Sequence, residues 1–210
     1  FSAELATQEI PVVAPLIFNN ATLHQHEGFR FALFTRHGGR GPELDIPENR
    51  EWLGRFLGRI HRCGASKSFE HRPGLSIETF FLEPSRYLLE NQWIPFHLET
   101  AYTSLIRDLE VELRACYQRA GDVDNIRLHG DCHPGNILWT DDGPHFVDLD
   151  DCRTGPAIQD LWMLLSGARE ERTVQLADIV DAYETFQSFN SAELNLIEPL
   201  RTLRLVHYAA

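Results

Sequence analysis

The sequence is short of lysine and methionine: in 210 residues it has one of each, Lys67 and Met163. A phosphate loop of the Walker type needs Lys-Ser/Thr directly after its glycines, and nothing of that kind follows Gly38-Gly39. That pair reads instead as a turn or hinge. No run approaches the ~18 apolar residues of a membrane-spanning helix, and no basic segment with an apolar stretch behind it opens the chain as a secretory leader would. The four cysteines, at 63, 116, 132 and 152, form no C-x-x-C pair and are too sparse for a disulfide framework. Reduced thiols in a cytoplasmic protein are the expectation. Basic residues are outnumbered, with 19 Lys and Arg against 31 Asp and Glu, for a net charge of −12. Neutralising a phosphate backbone or an anionic bilayer takes a clustered basic face, so neither nucleic acid nor membrane is expected as a partner.

Neither repeats nor low-complexity segments are present. A content of 43% hydrophobic, 10% aromatic and 24% charged residues is that of a globular protein, not a disordered, collagenous or coiled-coil chain. Leu16–Asn19 and Phe29–Thr35 read as strands with His24–Gly28 as a turn between them. His37–Pro42 reads as a flexible connection. Asp45-Ile-Pro47-Glu48 reads as a helix start, with Asp45 as cap and Pro47 in the first turn. Leu53, Phe56, Leu57 and Ile60 continue that helix at 3–4 spacing, and Gly64 closes it. A second amphipathic helix is expected near Leu98–Tyr117. Helices are also expected over Ala157–Ala168, Val174–Ser188 and Ser191–Tyr208, the last kinked at Pro199. Arg169–Arg172 reads as a solvated loop between them, and Trp52, Trp93 and Trp162 as core.

Chemistry concentrates in His129-Gly-Asp131-Cys-His133-Pro-Gly-Asn136-Ile-Leu-Trp139 and Phe146-Val-Asp148-Leu-Asp-Asp151. Asp141-Asp-Gly-Pro144 joins two strand-like runs, Asn136–Thr140 and His145–Asp148, as a hairpin. An antiparallel hairpin brings its two outer ends, Asn136 and Asp148, side by side. A carboxylate and an amide oxygen there make a hard oxygen site for Mg²⁺, completed by water and substrate phosphates. Asp131, five residues before Asn136, converges on the same point and is free to orient or deprotonate a hydroxyl. This is the working set of a phosphoryl-transfer enzyme.

The spacing His129-x-Asp131-x-x-x-x-Asn136 with Asp148 resembles the catalytic loop and metal-binding Asp of the protein-kinase-like superfamily. The form His-Gly-Asp-x-His-Pro-Gly-Asn is similar to its aminoglycoside-phosphotransferase and choline-kinase branch. Within that branch the chain resembles the bacterial stress response kinase A family, a likeness that also takes in Gln159-Asp-Leu-Trp-Met-Leu-Leu165, Glu9–Pro15 and Phe29–Arg40. The resemblance implies an α+β, protein-kinase-like bilobal fold. Residues 1–36 would be a truncated, strand-bearing N-terminal lobe and 37–44 the hinge that meets adenine. Residues 45–210 would form a mainly helical C-terminal lobe holding the catalytic β-hairpin. It implies ATP and Mg²⁺ as cofactors and a protein Ser/Thr hydroxyl as acceptor, with a small-molecule alcohol as the alternative, and a monomer is expected. Asp131 and Asp148 would be catalytic, Asn136 and Asp148 would hold the metal, and His133 would touch the phosphate region or brace the loop. The family's Gly-rich loop, its Lys and that Lys's Glu partner would lie before residue 1, and both ends read as cut, so a fragment is expected.

Other readings attach to the same residues. His129 is expected as a hydrogen-bonded structural residue, and Asp150 as a further acid near the site or a solvated turn residue. Cys132 and Cys152 flank the site but adjoin His and Asp in sequence, so they point apart and read as buried filler rather than zinc ligands. His-Gly-Asp-x-His has a superficial likeness to metallophosphoesterase segments, but those need further His/Asp clusters, and the remaining histidines here are scattered singly. A non-catalytic kinase-like scaffold is the third reading; the intact Asp131, Asn136 and Asp148 argue against it.

Overall fold

The computed structural model describes all 210 residues. Its elements, in order, are α1 (Ser2–Thr7), β1 (His24–His26), β2 (Phe29–Phe31), α2 (Pro47–Ala65), α3 (Glu83–Glu90), α4 (Glu99–Ala120), β3 (Ile126–Leu128), β4 (Ile137–Thr140), β5 (Gly143–Phe146), β6 (Arg153–Gly155), α5 (Ile158–Trp162), α6 (Arg169–Tyr183) and α7 (Ile197–His207). The strands form three two-stranded antiparallel ladders: β1 with β2, β3 with β6, and β4 with β5. No helix is long and apolar enough to cross a membrane.

The core is built on α2 and α6. Leu53, Leu57 and Ile60 of α2 are fully buried with Ile179 and Tyr183 of α6, Leu161 of α5 and Leu200 and Leu203 of α7. Each such side chain contributes roughly 1.5–3 kcal/mol of burial. The two helices touch through glycine. A Cβ on Gly54 would lie 2.3 Å from the Ile179 carbonyl oxygen, and one on Gly58 2.6 Å from that of Tyr183. Arg50, buried in the first turns of α2, closes the same seam with an ion pair of 2.5 Å to Asp178.

Several local expectations give way to sterics and hydrogen bonding. Helix α2 starts at Pro47, but its cap position is Ile46 and no side chain caps it, so Asp45 does not serve. Gly64 does not end the helix; it lets the Arg127 carbonyl pass at a distance no side chain would allow. His24–His26 is a strand, and the turn is only Glu27-Gly28. Both of those residues have positive φ, 49° and 86°, the backbone of a tight two-residue hairpin. The strand at Phe29 stops at Phe31, and its bulky side chains face outward. Trp52 and Trp93 are 42% and 66% exposed rather than core. Pro199 lies in the first turn of α7, after a 3₁₀ segment Ser191–Leu196, and so starts a helix instead of bending one. The stretch 157–168 keeps only the short α5. Arg169–Arg172 is the opening turn of α6, where the Glu171 carboxylate accepts from the Ala168 N–H. Ahead of α3, Pro84 has no N–H to return to Phe80, and the chain widens into a π turn, Glu78–Leu82, in which the Glu83 N–H reaches Glu78.

Hairpin β4–β5 is flanked on both edges. Arg40 exchanges backbone hydrogen bonds with Trp139 of β4, and Pro11 and Val13 bond to Phe146 of β5. The amino-terminal helix is tied down by charge: Glu4 accepts from Arg127 Nη2 at 2.8 Å and Lys67 Nζ at 2.9 Å. Arg127 is buried in β3, under the ring of Phe1.

Two expectations follow from these contacts. Gly54→Ala should destabilise the protein by about 1–3 kcal/mol, opposite in sign to the gain of up to ~1 kcal/mol that alanine brings at an exposed helical glycine; urea unfolding reads the difference. The hydrogen bond from Arg127, aided by Lys67, holds the Glu4 carboxyl down at about 2 against an ordinary 4.5. A depressed carboxylate stabilises the fold fully above its unfolded pKa and loses that contribution as pH falls through its folded one. The melting-temperature deficit of Glu4→Gln, measured by thermal denaturation, should therefore be largest above pH 4.5 and shrink toward pH 2.

Candidate active site

The loop that carries the chemistry leaves β3 and is fixed at its root by a carboxylate with no solvent exposure. Asp160, in α5, accepts the backbone N–H groups of His129 and Gly130, both at 2.9 Å. Its Oδ2 also meets His61 Nε2 of α2 at 2.9 Å, and His61 Nδ1 lies 3.1 Å from the Tyr183 hydroxyl of α6. Burial pushes this carboxyl's pKa up, but the His61 hydrogen bond and charge, with the loop N–H, outweigh it and hold the group below its usual range. Gly130 has φ of +87°, and a Cβ there would lie 2.2 Å from the Asp151 carbonyl oxygen, so only glycine fits.

His129 is buried and structural, as expected. Its Nε2 donates to the Val147 carbonyl at 2.9 Å, which leaves Nδ1 to accept the Asp131 N–H at 3.4 Å. The loop is thereby stitched to the far arm of the hairpin. Asn136 is buried at the foot of β4, and its Nδ2 donates to the Asp131 carbonyl at 2.9 Å and lies 3.4 Å from Asp131 Oδ2. With that nitrogen committed, the amide oxygen is the end available to a cation. His133 accepts the Gly135 N–H through Nδ1 at 2.9 Å and places Nε2 3.6 Å from Asp131 Oδ2. Asp131, Asn136 and His133 therefore meet within one loop.

Asp148 follows the end of the second arm, one residue beyond the backbone bond to Asn136. The ladder ends where the Val147 N–H donates to the Asn136 carbonyl at 3.0 Å. The next residue, Asp148, turns left-handed (φ 58°, ψ 58°) and is exposed. Strand β5 itself stops at Phe146, earlier than the hairpin pattern implies, because Gly143 at φ +105° makes the turn tighter. The left-handed region is uncommon for a residue with a side chain, though aspartate enters it more readily than most. Asp150 also faces solvent, whereas Asp151 is spent on Arg153 Nη2 at 2.5 Å and the Tyr208 hydroxyl at 3.0 Å. No three His, Cys, Asp or Glu side chains are arranged to enclose a metal ion, so a divalent ion at Asn136 and Asp148 has to draw on phosphate and water, the habit of Mg²⁺. Cys132 and Cys152 are buried, and burial pushes both thiols up, Cys152 to about 12. They are packing residues.

The reach of α7 into this site has no signal in the sequence. Arg204 Nη1 lies 2.5 Å from Asp131 Oδ1, an ion pair whose charges touch without the alignment of a hydrogen bond. No spacing rule joins Asp160 and His61 to the loop either, since each lies on a separate helix. Asp160 had one available hint, the Asp-Leu-Trp run in which it sits.

Residues 1–196 match the model of the phosphotransferase enzyme family. Over its full length the chain is 47% identical to stress response kinase A of Escherichia coli strain K12 and 46% identical to a protein of Salmonella typhimurium strain LT2 named serine/threonine protein kinase RdoA. It spans 63% of the length of each. Among solved structures, an amicoumacin kinase in complex with AMP-PNP, Ca²⁺ and Ami superposes with a TM-score of 0.78 at 19% identity, over 98% of this chain and 66% of that one. A microcompartment-associated aminopropanol kinase follows at 0.69 and 17% identity, over 99% and 69%. The chain therefore belongs to the phosphotransferase enzyme family and has an α+β, kinase-like fold.

Proposed function

We propose that this chain carries the catalytic loop and metal-binding hairpin of an ATP- and Mg²⁺-dependent phosphotransferase that phosphorylates a protein serine or threonine hydroxyl. The observation that carries the reading is the meeting of Asp131 with Asn136 in one loop, with Asp148 at the facing end of the hairpin that Asn136 begins. In this reading residues 1–36 contribute to an ATP-clamping lobe, 37–44 form the hinge and 45–210 the helical lobe.

Asp131 acts as the base that orients the acceptor hydroxyl and takes its proton as the oxygen attacks the γ-phosphorus. It is suited to this because Asn136 and His133 fix its carboxylate at the loop's surface, where its side chain is 14% exposed. The Asn136 amide oxygen and the Asp148 carboxylate are hard donors at the outer end of the hairpin and would hold Mg²⁺. When bound, that ion would supply positive charge to neutralise the nucleotide's phosphates. Asp160 keeps both halves in register by holding the loop's backbone. The acceptor class is supported by the name of the Salmonella relative, a serine/threonine protein kinase. A small-molecule acceptor is the second reading, favoured by solved neighbours such as the amicoumacin kinase and a spectinomycin phosphotransferase.

The deciding experiment uses the full-length protein, including the segment expected to carry the Gly-rich loop and its Lys, and offers it γ-labelled ATP, Mg²⁺, myelin basic protein and a pool of amino-alcohols. Label on protein supports the proposal, label on a small molecule alone moves it to the second reading, and no transfer rejects both. Asp131→Ala should lower turnover by roughly 10²–10⁴-fold with nucleotide affinity retained, measured by steady-state kinetics beside calorimetry. Asp148→Ala should abolish the Mg²⁺-dependent part of nucleotide binding in the same calorimeter.

A further inference from the structure

Asp131 is engaged on both oxygens, and from opposite sides. Oδ2 faces Asn136 Nδ2 and His133 Nε2 within the loop, whereas Oδ1 is in contact with Arg204, a residue of α7. Arg204 is itself held in place. Its guanidinium lies over the Tyr208 ring, 4.5 Å from the centroid, one turn on. The Tyr208 hydroxyl donates to Asp151 Oδ2 at 3.0 Å, and Asp151 Oδ1 is paired with buried Arg153 at 2.5 Å. Arg153 in turn lies 4.4 Å over Phe80 of the π turn, which stacks on His207 of α7 at 4.1 Å. The far end of α7 is thus clasped at two points, next to the guanidinium that it presents to Asp131.

We propose that Arg204 is a positioning residue for the base: it pins Oδ1 of Asp131, so that Oδ2 is the oxygen that receives the acceptor's proton. The inference rests on the phosphotransferase reading of Asp131. A carboxylate held at one oxygen has lost its freedom to rotate, and misplacement of a reacting group by about 1 Å can cost ~10² in rate. The contact is one of charge without hydrogen-bond alignment, and what Arg204 supplies is a cation braced against the Tyr208 ring beside Oδ1. Arg204 acts through Asp131 and not on nucleotide, so its loss should fall on kcat while KM for ATP stays put.

The test compares wild type, Arg204→Ala, Arg204→Lys, Tyr208→Phe and Asp131→Ala in the labelled-ATP transfer assay, with a thermal melt on each. Arg204→Ala should lose roughly 10–10²-fold in kcat at unchanged KM for ATP and recover part of it when guanidinium ion is added. Arg204→Lys and Tyr208→Phe should lie between it and wild type. Guanidinium should do nothing for Asp131→Ala. Three results overturn the inference: unchanged kcat in Arg204→Ala, a raised kcat (the mark of an arginine that blocks the base), or a fall that guanidinium leaves untouched alongside a lowered melting temperature. If Asp131→Ala is dead while Arg204→Ala is fully active, this inference alone fails. If wild type transfers no phosphate, the reading beneath it fails too.

Discussion

Everything in the site hangs from one buried carboxylate. Asp160 has no access to water, and its desolvation is offset only because two backbone N–H groups and an imidazole converge on it. Charge-assisted bonds of this kind gain strength where the surroundings are apolar, and a missing partner there is correspondingly costly. The arrangement converts a helix in the core into a fixed support for the loop's first two residues. His129 then carries the constraint onward to Val147, so that loop and hairpin share one frame.

The functional loop was legible in the sequence because its members are close in the chain. Asp131, His133 and Asn136 lie within six positions, and a hairpin signal with acids at the right end supplies Asp148. Long, periodic α2 and α4 were legible for the same local reason. What was not legible comes from packing between distant segments. His61, Asp160 and Arg204 lie on three helices, and no spacing rule joins an arginine near residue 204 to an aspartate at 131. Gly64 looks like a helix stop by local rules, yet its lack of a side chain serves the approach of Arg127. Glu27-Gly28 lacks the asparagine or aspartate that announces a tight hairpin, and Pro84 turns a helix wide instead of ending it. Of the apolar residues expected to line the helix now seen as α4, Leu113 is buried and Leu109 packs against the core, whereas Leu98 and Leu105 near its start face solvent. An average helix repeat gives the right helix, and its face is covered only along the later turns.

The acidic side chains after Val147 illustrate how composition conceals function. Asp148, Asp150 and Asp151 look alike in the sequence, and their backbone settings separate them. The first is turned left-handed beside the loop, the second faces water, and the third is consumed by Arg153 and Tyr208. The net charge of the chain says nothing about this division, because each acid's electrostatic partner lies within a few ångströms or not at all.

The two glycines of α2 have a reach beyond helix packing. Gly58 allows the Tyr183 backbone to approach, and Tyr183 is the residue whose hydroxyl faces His61, which in turn holds Asp160. The spacing between two helices is therefore transmitted, bond by bond, to the carboxylate that suspends the loop. A side chain at Gly58 would press on the Tyr183 backbone and so on the residue that faces His61, which makes the glycine part of the site's alignment.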